Sequence, residues 1–272
     1  MDRRRSRRRR ARRRGGIEAL KFNEAAGALY HFVWGVFCDW YVEFAKPLLT
    51  GADETAKAET RATTAWVLDQ ILVLLHPFMP FLTEELWAKT AESAGVKRQT
   101  SLILAEWPRL SGLGNAEAEA EMRWVVDLVS AIRSVRAEMR VPAGAQVPLR
   151  VICANHETQA RIARHRDLIV RLARLSDIAE TKSAETGALQ IVLGEAVFVL
   201  PVAEFIDVAA ERARVEKEVA KAKSEIEKID KKLASADFVS KAPEEVVEEN
   251  RERRAEFVAL ITRMGEALRA LA

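Results

Sequence analysis

The side chains in this chain with the plainest chemistry are cationic. Arg133 and Arg136 stand three residues apart, and a guanidinium fork matches two oxygens of a phosphate. Residues 1–14, MDRRRSRRRRARRR, hold ten Arg and one Asp, and such a run grips phosphates by displacing their counterions. The patterns that covalent or nucleotide chemistry would need do not appear. There is no Walker loop, no nucleophile elbow and no carboxylate dyad with a plausible pocket. Gly112-Leu113-Gly114 lacks both a third glycine and a preceding strand. Cys38 and Cys153 lie far apart in apolar runs and form no C-x-x-C, so they are expected to be buried thiols in a reducing cytoplasm, with no zinc site. These residues describe a module that binds, with no metal and no cofactor in this chain.

The net charge of +3 conceals two opposite parts. Residues 1–14 contribute +10 − 1 = +9, so residues 15–272 carry 3 − 9 = −6. A basic balance points to nucleic acid or an acidic surface, but here it comes from the tail alone. Any RNA site in the body must be a local patch. The tail itself, 1–16, reads as a disordered appendage or as an artefact of GC-rich coding sequence in a shifted frame. A phosphate-gripping arm and a transit peptide are the other readings, though the latter normally carries more Ser and an amphipathic pattern. No apolar run approaches the roughly 20 residues of a membrane span, and no secretory signal is evident.

Helices must position these groups. Phe22, Ala26, Leu29, Val33, Val36, Trp40 and Phe44 recur at threes and fours, which predicts one amphipathic helix ending at Lys46-Pro47. Asp53 is a candidate N-cap for a second helix over about 53–76, closed by His76-Pro77. Thr83 reads as the N-cap of a third, with Glu84 and Glu85 in its first turn. Trp34, Phe37, Trp40, Phe78, Phe81 and Trp87 are expected to pack in the core, and His76 to be a capping or hydrogen-bonded residue.

Beyond residue 116 the pattern changes. A helix over about 117–139 carries Trp124, Leu128, Ile132 and Val135 on one face and Arg133, Arg136 and Arg140 on another. A strand at 147–153, an Arg-rich helix at about 156–174 and a hairpin over 189–200 turning at Gly194-Glu195 make a small α+β unit. Over 207–272, Val208, Val215, Val219, Ala222, Ile226, Ile229 and Leu233 form one heptad seam, and Val246, Asn250, Arg253, Phe257, Leu260, Met264, Ala267 and Leu271 form another. With a short link between them, the two helices should fold into an antiparallel coiled-coil hairpin and leave the chain monomeric. The fold class is therefore mainly α: a helical bundle (17–116), a small α+β unit (117–206) and a coiled-coil hairpin (207–272).

Four strings resemble one family. FNEAAGALYHFVWGVFCDWYVEFAKP (22–47) and LLHPFMPFLTEELW (74–87) resemble the anticodon-binding bundle of class I aminoacyl-tRNA synthetases. FCDWYVE (37–43), IRSVRAEMRVPAGAQVPL (132–149) and DFVSKAPEEVVEENRER (237–253) are similar to the valyl-tRNA synthetases in particular. The resemblance implies an anticodon-binding domain and a C-terminal arm that contacts the tRNA body, with Lys217, Lys221, Lys228, Lys231, Lys232 and Lys241 as its basic edge. Interspersed Glu residues allow the plainer reading of a mixed-charge solvated surface. It implies tRNA, valine tRNA above all, as the partner, and a cytoplasmic place in protein synthesis. The family's H-I-G-H-type and K-M-S-K-S-type motifs, which serve ATP in its catalytic domain, are absent, as is its editing domain. The four His begin HFVW, HPFM, HETQ and HRDL. The chain is thus expected to support aminoacylation without performing it, joined to a separately encoded catalytic half. A truncated or split-gene remnant and a stand-alone coiled-coil interaction protein are the alternatives.

Overall fold

The computed structural model describes residues 21–183, 188–235, 238 and 243–270. The Arg-rich tail and Lys241 lie outside the described residues. The chain divides into two compact units, Met1–Asn115 and Ala116–Ala272. Among the described residues no helix is long and apolar enough to cross a membrane.

The first unit opens with one continuous helical run: α1 (Phe22–Phe32), a π-helical stretch (Val33–Tyr41) and α2 (Val42–Thr50). The π stretch, with hydrogen bonds one residue longer than α, rotates the faces relative to a 3.6-residue period. That overturns the predicted stripe. Phe22 and Val36 are about half exposed, and the buried residues are Ala25, Phe37 and Ala45. Phe37 stacks on Tyr41, whose hydroxyl lies 3.1 Å from Thr64 Oγ1 on the next helix. Nor does the helix stop at Lys46-Pro47. Pro47 sits inside α2, where it removes one donor.

Helix α3 (Glu54–Leu75) begins as expected, with Asp53 accepting from the Thr55 and Ala56 amides. Helix α4 (Pro80–Ser93) begins earlier than Thr83, because Pro80 supplies the fixed φ suited to a first turn. Thr83 is instead an interior residue. Its hydroxyl donates to Met79 O and meets His76 Nδ1 at 2.8 Å, so His76 is the hydrogen-bonded helix-end residue anticipated. Glu84 accepts the amides of Leu102 and Ile103 and so fixes the 3-10 turn Leu102–Leu104 against α4. One core cluster here consists of Leu72, Val73 and Leu102, with Leu68, Trp87 and Ala105 packed against them. Arg98 cross-links it. Its guanidinium lies 3.5 Å from the Trp87 ring centroid and makes two 2.7 Å bonds to Asp69.

In the second unit α5 (Ala116–Glu138), β1 (Val147–Ile152), α6 (His156–Ala173), β2 (Leu175–Glu180), β3 (Ala188–Leu193) and β4 (Ala196–Pro201) form a four-stranded mixed sheet with two helices. The strand order is β2-β1-β4-β3. Strands β1 and β2 are parallel, joined through α6, and β3–β4 is the expected hairpin. Its turn has positive φ at Gly194, the first central residue, as a II′ turn requires. Strand β2 went unpredicted because Leu-Ser-Asp-Ile-Ala-Glu buries only Leu175 and Ile178 at the sheet edge. Val125, Leu128, Val129 and Ile132 of α5, Leu149 of β1, Ile169 of α6 and Phe198 of β4 are all fully enclosed. The arm follows as α7 (Val208–Ala234) and α8 (Glu244–Ala270).

Candidate nucleic-acid interface

The arm is a closed seam. Val215, Ala222 and Ile229 are buried at seven-residue steps on α7, and Val247 and Met264 are buried on α8, which packs along it. One correction concerns α8: Val247, not Val246, enters the seam; Arg254 pairs across to Asp230 of α7, and Arg253 lies over the Phe257 ring with its charge acting on Glu225. The sequence offers two adjacent valines, and only the partner helix decides which one turns inward. The Arg254 pairing holds the Asp230 carboxyl below the usual carboxylate range and raises the guanidinium.

At its root the arm is clamped to the sheet region. Arg214 pairs with Glu211 and Glu218 and donates to Glu138 O at the end of α5. Those carboxylates, Glu211 above all, push the Arg214 guanidinium upward. Arg263 of α8 approaches the Glu138 carboxylate at 3.7 Å.

Lys217, Lys221, Lys228, Lys231 and Lys232 are all exposed on α7. At about 100° per residue they fall within an arc of roughly 100°, centred away from the Val215–Ala222–Ile229 seam. Between Ala210 and Ser235 that arc holds no Asp or Glu: Glu211, Glu218, Glu225 and Asp230 project nearer the seam, and Glu216 and Glu227 flank the arc on its other side. Glu225, at the margin, bonds Lys228 at 2.6 Å, which lowers its carboxyl pKa. Apart from this Glu225–Lys228 pair, the interspersed acids project outside the arc of the lysines.

Arg133 and Arg136 part company. Arg133 is exposed and donates from Nε to Leu172 O at 2.9 Å. Arg136 is only 7% exposed and donates to the carbonyls of Arg174, Pro142 and Ala145. Its assignment as a phosphate ligand is corrected: it is an internal clamp for the loop after α5. Burial, and then the charge of Arg174, pulls its guanidinium below its ordinary value. Burial of Cys153 is corrected as well, since it is exposed with φ 58°, and Cys38 is half-buried. Among the expected core aromatics, Phe37 is buried and Trp40, Phe78 and Trp87 are half-buried. Trp34 is 57% and Phe81 91% exposed, so neither packs in this unit.

Family comparisons cover both units, the first match running across their boundary into α5 and β1. A model of the anticodon-binding domain of tRNA ligase matches residues 11–152, and one of the valyl tRNA synthetase tRNA binding arm matches 207–272. The chain belongs to the valyl-tRNA synthetase family. It is 58% identical over 257 residues to a valine–tRNA ligase of Caulobacter vibrioides, covering 94% of this chain and 28% of that relative. A valine–tRNA ligase of Brucella suis is 54% identical over 252 residues, 93% of this chain and 28% of the relative. One from Agrobacterium fabrum is 49% identical over 252 residues. The chain thus spans between a quarter and a third of the length of the valine–tRNA ligases it matches, and it corresponds to a C-terminal part of the family. Residues 153–206, which hold α6 and strands β2 to β4, fall outside both family matches.

Proposed function

We propose that this chain is the tRNA-holding portion of a valine–tRNA ligation system: the bundle reads the anticodon end and the arm grips the tRNA body. The observation that carries this reading is the acid-free lysine face of α7, set opposite a seam that α8 closes. A two-helix arm with its apolar side already covered has only its polar side to offer, and here that side suits a phosphate backbone. The same closure disfavours a coiled coil that seeks a protein partner, because α7 finds its partner in α8 of the same chain. We read the chain as a monomer working in the cytoplasm, with ATP and valine handled by a catalytic portion of the family outside this chain.

The test is tRNA binding by the purified chain. Valine tRNA should bind more tightly than tRNAs of other anticodons, with affinity falling steeply with salt. Valine-dependent ATP–pyrophosphate exchange should stay at the level of a heat-killed control. Equal affinity for all tRNAs would remove anticodon reading by the bundle, and exchange above control would remove the purely binding role.

A further inference from the structure

Both helices of the arm are tied to one residue of the sheet region. Glu138 is the last residue of α5. Its carbonyl accepts from Arg214 Nη2 of α7 at 2.6 Å, and its carboxylate lies 3.7 Å from Arg263 Nε of α8. The C-terminal end of a helix carries unpaired carbonyls and a partial negative charge, so it suits cations. The same turn of α5 is fixed to the sheet region by Arg136, which donates to the carbonyls of Pro142, Ala145 and Arg174. Sheet region, α5 end and arm are thus joined by one chain of ties.

Arg214 is unlike the lysines of α7. Its side chain is only 17% exposed, and each guanidinium nitrogen is engaged. Nε donates to both Glu211 oxygens at 2.9 Å, Nη1 donates to Glu218, and Nη2 is shared between Glu211 and Glu138 O. A guanidinium engaged at every nitrogen is poorly placed to take a phosphate as well. Glu211 is itself buried, in the first turn of α7, where the helix dipole favours an acid. Both carboxylates belong to Arg214's own helix, three residues before it and four after, so they aim the side chain without tying the arm to anything. The bond to Glu138 O is the one that leaves the helix. It starts about 9 Å beyond the beginning of α7. Below it, residues 202–207 link α7 to β4, rooted by the fully enclosed Val202. A short link fixes where the arm starts, and a tie farther along fixes where it points.

We infer that Arg214 is a positioning residue: its bond to the end of α5, with Arg263 as the second tie, sets the direction of the arm and presents the lysine face of α7 to bound RNA already aligned. This rests on the tRNA-binding reading. An untied arm would point correctly for only part of the time, and its affinity would fall by that fraction, about 10-fold for an arm aligned about one-tenth of the time. The number of phosphates touched would not change, so the salt dependence would stay as it is. Positioning and phosphate contact therefore leave different signatures.

The experiment reads direction and binding separately, on the full chain. Spin labels on the exposed Cys153 and on Ser224→Cys, with Cys38→Ser, report the distance from the sheet region to a point about 24 Å along α7. With the clamp intact the distance distribution should be narrow. Glu211→Gln/Arg214→Met removes the tie without leaving a buried carboxylate unpaired, and it should broaden the distribution while circular dichroism keeps its helix signal. Arg214→Lys keeps a charge beside Glu211 and Glu218 but lacks the planar fork, and should broaden it part-way. Without labels, the double variant should bind a valine tRNA transcript about 10-fold more weakly at every salt concentration, with the slope of log K against log salt unchanged. Lys217→Gln/Lys221→Gln should instead lose about 1.4–1.8 of slope and keep the narrow distribution. A narrow distribution in both Arg214 variants overturns the inference while the tRNA reading stands. So does equal broadening from Arg212→Gln, whose partner Glu216 lies on the same helix. A loss of slope in the double variant overturns it too, by making Arg214 a phosphate contact. A wild-type chain that binds no tRNA ends the tRNA reading and the alignment of the lysines with it.

Discussion

The two units are built to different standards of closure. Around the sheet, Phe198, Leu128, Ile132, Leu149 and Ile169 are shut away from water, and Trp124 meets Phe198 edge-on at 6.1 Å. In the bundle no large apolar side chain is wholly shut off: Ile71, Leu72 and Leu102 come nearest, Phe37 and Val73 keep 8–9% of their surface, and Phe81, Ile103 and Leu104 stand more than two-thirds exposed. Apolar burial is the main force holding a fold, so the sheet region should depend on its core and the bundle on its cross-links. The difference shows how unequally one chain of uniform composition distributes its stability.

The largest expected effect is in the sheet region. Phe198→Ala should cost about 3–5 kcal/mol in urea unfolding followed by far-UV circular dichroism, since the site is walled by sheet and helix and cannot collapse. Leu72→Ala in the bundle should stay near the low end of the range for such truncations, about 2 kcal/mol. Equal costs would break the comparison.

The arm tests closure at a finer scale. Ile229→Asp puts a charge among buried seam residues and should cost about 3 kcal/mol or more, with early loss of helix on heating and unchanged near-UV tryptophan signal. Ile226→Asp, at a half-buried position, should cost less. A larger effect at Ile226 would move the seam onto the other heptad position. Next in size is the bundle's cross-link. Arg98→Ala removes a ring contact and a two-bond ion pair whose members are 22% and 25% exposed. It should cost about 1–3 kcal/mol, with Arg98→Lys recovering only part, because an ammonium cannot make the fork. Loss of under half that would mean the bundle does not lean on cross-links after all.

How far the sequence reveals these features depends on the range of the cause. The α7 heptad, the Asp53 cap and the Gly194 turn are legible because neighbours along the chain determine them, whereas the register of α8 is not, since its partner helix selects Val247 over Val246. The Arg98–Asp69 pair was not, since 29 residues separate the partners. The π stretch escaped because an apolar stripe at threes and fours does not announce a wider turn. Strand β2 escaped because an edge strand needs few apolar residues. At the candidate site, charge type was visible but neighbourhood was not. Arg133 and Arg136 look equivalent in sequence, and only the loop at 142–145 folding over α5 separates a buried clamp from a surface cation.

The smallest effect concerns how the two ends of the α5–α6 pair neutralise their arginines. At one end carbonyls do it, around Arg136 and Arg174. At the other a carboxylate does. Glu121 accepts from Arg161 Nε at 2.8 Å and Arg164 Nη1 at 2.6 Å, and His165 Nε2 lies 3.1 Å away. The Arg161 bond, followed by His165 and the two arginine charges, holds this carboxyl below its ordinary range despite some desolvation. A depressed folded-state pKa means that the folded chain favours the ionised form. The stabilisation is therefore complete above the unfolded value of about 4.3 and is lost as pH falls through the lower folded value. Stability attributable to this group should be flat from pH 7 to about 5 and decline below about 4. Glu121→Gln should cost up to about 1 kcal/mol at pH 6, and the difference from wild type should shrink by pH 3. Urea midpoints at the two pH values measure it. A difference that persists unchanged at pH 3 would mean that shape, not charge, joins α5 to α6 at this end. Both ends would then hold their arginines by neutral hydrogen bonding.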